Sequence, residues 1–181
     1  MRTLNREDRA LVALLPKRIW AEINTWRRAY DPNYGPVPPH ITVAYPPFVP
    51  EEQWSSLQLV VRQCLAQFRP FQILLGGLGT FENDHCVLWL RVEDKGQLSC
   101  IRAGLMRCLP EHVPPLPFAY VPHVTLGIFE SRIDLANAKQ TIGAQVKSQR
   151  FTVRRLTYLS PDEHGVWSVY SHVPLGMRNE R

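Results

Sequence analysis

Apolar and polar positions along this chain switch between two periods, and the switches mark the elements. Residues 9–15 are a short apolar run closed by Pro16, too brief for a helix that would bury nothing else, and read as an inner strand. Ile19, Ile23, Trp26 and Tyr30 then recur at spacings of four, three and four, which is one face of a helix. Residues 31–39 (DPNYGPVPP) are loop, since proline and glycine there forbid regular pairing. Residues 40–45 (HITVAY) form the next strand, stopped by Pro46 and Pro47. Pro50, Glu51 and Glu52 suit a helix start. Trp54, Leu57, Val61, Leu65 and Phe68 supply its buried stripe, and Phe71, Ile73 and Leu75 alternate afterwards as a strand.

The second half repeats that order. Residues 86–92 are a strand, 98–109 a helix with Ile101, Leu105 and Cys108 inward, and 110–122 a proline-rich loop. Residues 123–129 (HVTLGIF) are a strand, 133–146 a helix, 151–159 a strand, and a final strand at 166–173 returns through a turn at 162–165. Each half is therefore strand, helix, proline-rich loop, strand opening on Pro-His, helix, strand. The pseudo-repeats span about 9–80 and 86–160, with His40 and His123 83 residues apart. Two copies predict an α+β chain, a single bilobal domain over 1–181 with a pseudo-twofold axis.

Composition narrows the class. At 181 residues, 45% hydrophobic and 20% charged, the chain suits one globular domain, which excludes disorder and collagen. The longest apolar run near the start, residues 10–15, falls far short of the roughly 18 residues of a membrane span, so a cytoplasmic, untargeted protein with no membrane partner is expected. Cys64, Cys86, Cys100 and Cys108 form no CxxC pair and fall in apolar-periodic segments, as reduced, buried thiols would. The net charge of +5 sits in the second half, with nine basic against eight acidic residues up to position 90 and twelve against eight beyond it. Lys147, Arg150, Arg154 and Arg155 lie close together, as a phosphate-binding patch or as a solvated helix end running into a strand. A pI near 9.2 permits a nucleic-acid partner without requiring one.

The chemistry lies in Pro39-His40-Ile41-Thr42 and Pro122-His123-Val124-Thr125. Side chains alternate along a strand, so His and Thr share one face while the β-branched residue between them turns to the other. Six histidines and eight threonines in the chain predict only about 0.3 His-x-Thr triplets by chance, and two occur, each after proline and at equivalent places in the repeat. Related by a pseudo-twofold, the four polar side chains would converge on one cleft.

These paired motifs and the lobe arrangement resemble the 2H phosphoesterase superfamily, whose bacterial members include the 2′-5′ RNA ligases, over residues 9–173. The resemblance implies two antiparallel sheets lining a central groove with helices outside. It also implies a metal-independent site in which His40 and His123 act on a cyclic phosphodiester while Thr42 and Thr125 hold the phosphate. RNA-ligase-type members often carry an arginine five residues after the second histidine; this chain has Ile128 there, with Arg132 nearby.

The mechanism stands on its own chemistry. Hydrolysing a phosphodiester without a metal needs one group to deprotonate water and another to protonate the leaving alkoxide, and two imidazoles near pKa 6.5 suffice. Two hydroxyls can donate to the non-bridging oxygens as charge develops. No metal or other cofactor is expected, because neither motif has HExxH spacing or a third ligand at a fixed offset. His85, His112, His164 and His172 have no partner in sequence, and Gly76-Gly77-Leu78-Gly79 suits a strand end or bulge better than a phosphate loop.

Tyr34 and Tyr120 flank the approaches to the two histidines, where stacking on a nucleobase competes with plain packing; for Phe118 packing is the expectation. With Arg132 they complete the substrate-binding candidates. Trp167 and Tyr170 fall on opposite strand faces, so at most one reaches the groove. RNA ends or a small cyclic nucleotide are the expected substrates of a monomer, with reversible 2′-5′ ligation as an added capacity. A non-catalytic RNA- or nucleotide-binding module using the same groove is the alternative.

Overall fold

Prolines that close the strands and loops also begin the first two helices, at positions where a missing amide hydrogen costs nothing: Pro16 and Pro50 are their N-caps. The computed structural model describes residues 9–82 and 85–176. In chain order the elements are β1 (Ala10–Leu14), α1 (Lys17–Tyr30), β2 (His40–Ala44), α2 (Glu51–Leu65), β3 (Phe71–Glu82), β4 (Cys86–Glu93), α3 (Gln97–Cys108), β5 (His123–Phe129), α4 (Arg132–Gly143), β6 (Gln149–Val153), β7 (Arg155–Pro161) and β8 (Trp167–Pro174).

The strands build two four-stranded antiparallel sheets, ordered β2-β1-β7-β8 and β5-β4-β3-β6. The orders match position by position, with β2 and β5 both at an edge beside β1 and β4. The halves exchange one strand each: β3 joins the sheet of β4 and β5, while β7 joins that of β1 and β2. The strand expected at 151–159 is accordingly two strands in different sheets. Phe151 and Val153 are buried in alternation, two exposed arginines follow in succession at 154 and 155, and burial then runs unbroken over 156–160. The paired exposed arginines mark the change of sheet.

Ile19, Ile23 and Trp26 of α1 are buried as their spacing requires, and α1 packs against β5, in the sheet that does not contain β1 and β2. Gly127 permits this approach, since a methyl group there would lie 2.6 Å from Cβ of Tyr30. α3 packs reciprocally against β2. A second, smaller core of Ala10, Val12, Val37, Leu159 and Trp167 forms where loop 31–39 folds over the first sheet.

Some sequence expectations need correction. α4 begins at Arg132 and ends at Gly143, earlier than 133–146, because Ser131 caps it by accepting the Asp134 amide at 3.1 Å. Cys108 and Cys100 are exposed, and only Cys64 is fully buried; apolar spacing places a small thiol near the edge of a stripe as readily as at its centre. Phe118 stands 58% exposed instead of packed.

Candidate active site

His40 and His123 are the first residues of the edge strands β2 and β5, which contact each other. Both strands slip register at the same place. Leu11 and Val12 pair with Ala44 and Thr42, which leaves Val43 without a partner, and Leu88 and Trp89 pair with Gly127 and Thr125, which leaves Leu126 without one. Each bulge falls three residues after its histidine, and bulges bend a strand and re-aim its side chains. The first is held from the other half: Arg102 Nη1 donates to the Val43 carbonyl at 2.9 Å, and the Tyr120 hydroxyl donates to the Thr42 carbonyl at 2.8 Å.

His40, Thr42, His123 and Thr125 line one cleft of about 220 Å³, together with Arg27, Asp31, Ile128 and Trp167. Nδ1 of His40 lies 2.8 Å from the Pro38 carbonyl, and Nδ1 of His123 lies 2.8 Å from the Val121 carbonyl. A carbonyl only accepts, so Nδ1 carries the proton in both rings and Nε2 is left for chemistry. Nε2 of His40 accepts from the Thr42 hydroxyl at 3.1 Å. The Phe81 ring meets the His123 ring edge-on at a centroid distance of 5.0 Å, and Trp89 lies at 5.8 Å.

Burial lowers the pKa of His40 to about 4, against the raising effect of its bond to Pro38; the Arg27 guanidinium and His123 lower it further, and Asp31 raises it by less. His123 is also held below the usual histidine value by burial, with its bond to Val121 working the other way. The cleft therefore presents two neutral imidazoles at neutral pH.

Arg27 is the residue that sequence reasoning missed. It is 3% exposed, its Nε donates to Asp31 at 2.7 Å and its Nη2 to the Asn33 carbonyl at 3.3 Å. Asp31 accepts the Asn33 amide at 2.9 Å as well. Nη1 makes no hydrogen bond within the described residues. The signal was present: Arg27 lies four residues after Ile23 and eight after Ile19, inside the buried stripe, with an acid four residues on.

The other candidates lie elsewhere. Tyr34 is outside the cleft, with Arg28 Nε donating to its hydroxyl at 3.3 Å. Tyr120 is spent on the Thr42 carbonyl, its phenol pushed up by burial, and it positions β2 instead of facing the cleft. Arg132, its side chain 76% exposed, sits 3.6 Å from Glu82 and does not reach the cleft; Ile128 does. Trp167 lines the cleft, whereas Tyr170 packs edge-on against Tyr158. Among the described residues no three His, Cys, Asp or Glu side chains are grouped to hold a metal ion, and no helix is long and apolar enough to cross a membrane.

Residues 15–165 match the family model of the 2′-5′ RNA ligase superfamily. A protein of Geobacillus kaustophilus named "Putative phosphoesterase" is 30% identical over 170 residues, covering 92% of this chain and 95% of its own. A Bacillus cereus protein of the same description is 28% identical over 169 residues, covering 93% and 97%. Among solved structures, TT0787 of Thermus thermophilus aligns with a TM-score of 0.64 at 19% identity over 94% of this chain and 99% of that one. E. coli LigT complexed with 3′-AMP aligns at 0.63 and 18%, over 94% and 99%. These structures share the bilobal fold, and the sequence match extends through both histidine strands: the chain belongs to the 2′-5′ RNA ligase superfamily of 2H phosphoesterases.

Proposed function

We propose that the cleft opens a cyclic phosphodiester without a metal ion, with His40 as general base and His123 as general acid. The observation that carries this reading is the convergence of both His-x-Thr pairs on one cleft of about 220 Å³. His40 suits the base, because its pKa is lowered to about 4 and Nε2 holds its lone pair with Nδ1 anchored on Pro38. Nε2 takes a proton from water as the water oxygen bonds to phosphorus. The bond from phosphorus to one ribose oxygen breaks, and protonated His123 gives its Nε2 proton to that oxygen, leaving a phosphomonoester. The Thr42 and Thr125 hydroxyls donate to the non-bridging oxygens.

Arg27 supplies the fixed positive charge that Ile128 cannot, from a helix in place of β5. Its guanidinium lines the cleft while its Nε is held by Asp31 at 2.7 Å, and its charge lowers the His40 pKa more than Asp31 raises it. LigT complexed with 3′-AMP and Usb1 with uridine monophosphate, the latter at a TM-score of 0.52, support a nucleotide as the substrate. In the reverse direction the two histidines exchange roles, which is the route to 2′-5′ ligation.

The test is incubation with a nucleoside 2′,3′-cyclic phosphate in EDTA. Release of the nucleoside monophosphate is expected. Binding of the nucleotide without release would overturn the enzyme reading in favour of a binding module.

A further inference from the structure

Each histidine strand is backed by a helix of the other half, and each of those helices buries one arginine: Arg27 on α1, which packs on β5, and Arg102 on α3, which packs on β2. Arg27 has Asp31 for a counter-charge. Arg102 is 4% exposed, and among the described residues no carboxylate forms an ion pair with it. Its guanidinium lies against two aromatic rings instead, 5.7 Å from the centre of Tyr45 and 5.6 Å from that of Tyr120. It donates through Nη1 to the Val43 carbonyl at 2.9 Å and through Nη2 to the Pro114 carbonyl at 2.8 Å. A buried cation costs more than an apolar side chain of the same size, so what the guanidinium adds is direction: two bonds from one rigid plane.

Both bonds bear on the cleft. Val43 is the bulged residue of β2, and the carbonyl before it, that of Thr42, accepts the Tyr120 hydroxyl at 2.8 Å. A peptide unit is planar, so a bond at each of two successive carbonyls pins both units that follow Thr42, and with them the direction in which its side chain leaves the strand. Pro114 and Tyr120 lie in the loop 110–122 that delivers His123, so the same clamp ties the approach to the second histidine to the strand of the first. Among the described residues no side chain donates to the carbonyls of Thr125 or Leu126 at the bulge of β5. The clamped strand is the one whose threonine is hydrogen-bonded to its histidine.

We propose that Arg102 is a positioning residue of the hydrolysis: from outside the cleft it holds the bulge of β2 so that the Thr42 hydroxyl meets Nε2 of His40 and then the phosphate, with Tyr120 as the second arm of the clamp. The proposal rests on the phosphodiesterase reading of the cleft and deepens it by naming what fixes one of its two phosphate donors.

Arg102→Lys keeps a cation without the planar fork, and Arg102→Met keeps bulk without either bond. Each is assayed on uridine 2′,3′-cyclic phosphate in the wild-type and Thr42→Val backgrounds, with urea denaturation to show that it is folded. In either variant kcat should fall about 10- to 100-fold, the cost of a shift of about 1 Å at a reacting group, while KM stays within about threefold, because the hydroxyl counts most as charge develops in the transition state. In the Thr42→Val background the same substitution should cost less than about threefold, since the group it positions is gone. Nuclear magnetic resonance supplies a readout that needs no turnover. The Nε2 nitrogen signal of His40 should move in both variants toward its position in Thr42→Val, while that of the exposed His164 stays. An undiminished kcat, a loss taken up in KM alone, a loss as large without the Thr42 hydroxyl as with it, or an unmoved His40 signal would overturn the proposal. Where neither Arg102 variant folds, Tyr120→Phe, which removes one hydroxyl from the clamp, decides by the same readouts. If wild type turns over no cyclic nucleotide, the phosphodiesterase reading fails, and the His40 signal still decides the clamp.

Discussion

The Thr42 hydroxyl lies 3.1 Å from Nε2 of His40, two residues earlier on the same strand, whereas the hydroxyl of Thr125, at the equivalent place in β5, makes no side-chain hydrogen bond within the described residues. The two halves thus repeat the residues and the bulge but not the proton arrangement. In the free protein the lone pair of His40 is already occupied. In the proposed mechanism a bound phosphate draws the Thr42 hydroxyl away before that lone pair meets water, which would couple substrate seating to activation of the base.

This asymmetry separates the two threonines. Thr125→Val removes only a donor to phosphate, so turnover should fall about 10- to 1,000-fold with the acid limb of the pH profile in place. Thr42→Val also removes the donor that favours neutral His40, so its acid limb should move to higher pH. Profiles of both variants check this, and an identical shift in the two would show that the threonines are equivalent.

The pH dependence follows from the two shifted imidazoles. In the proposed mechanism the base works above the His40 pKa of about 4, and the acid works only below the His123 pKa, which burial holds under 6.5. kcat/KM for a cyclic phosphodiester should therefore trace a bell with its maximum on the acid side of the ordinary histidine pKa of 6.5, the limbs belonging to the coupled pair. A maximum above pH 7 would contradict the burial of both rings.

Much of this cleft was legible in the sequence, because a period of two puts His and Thr of each triplet on one face and the repeat makes the two strands equivalent. The sheets themselves were less so. Alternation reports which side chains are buried but not against which neighbours, so the exchange of β3 and β7 left no trace except the adjacent Arg154 and Arg155. Arg27 was hidden for another reason. A charge inside an apolar helical face is ordinarily a solvated edge, and only the fold shows that loop 31–39 closes over it and brings Asp31 to its side.

His40 also makes folding pH-dependent. The unfolded chain protonates it near pH 6.5 and the folded chain only near 4, so its contribution to stability is complete above 6.5 and is lost as pH falls through that window. His40→Ala should lack this loss. Urea denaturation at pH 7 and pH 4.5 should show the variant losing less stability than wild type, by no more than about 3 kcal/mol. Equal losses would place His40 in a more open environment.

The buried Arg27–Asp31 pair gives variants with opposite signatures. Asp31→Asn leaves a buried guanidinium without its counter-charge, which should cost about 3 kcal/mol of stability, and it removes the group that raises the His40 pKa. Its acid limb should move down. Arg27→Met should move that limb up and weaken binding of a nucleoside monophosphate, read by calorimetry. Unaltered monophosphate binding in Arg27→Met would confine the arginine to a structural role.

The central claim is that His40 and His123 act as one unit on one phosphate, and kcat/KM of His40→Ala, His123→Ala and the double variant on a 2′,3′-cyclic nucleotide measures it most directly. Each single variant should fall by at least about 100-fold, with the double variant little worse than either, because groups that act together are not additive. A single variant with near-normal turnover, or losses that multiply in the double variant, would contradict it.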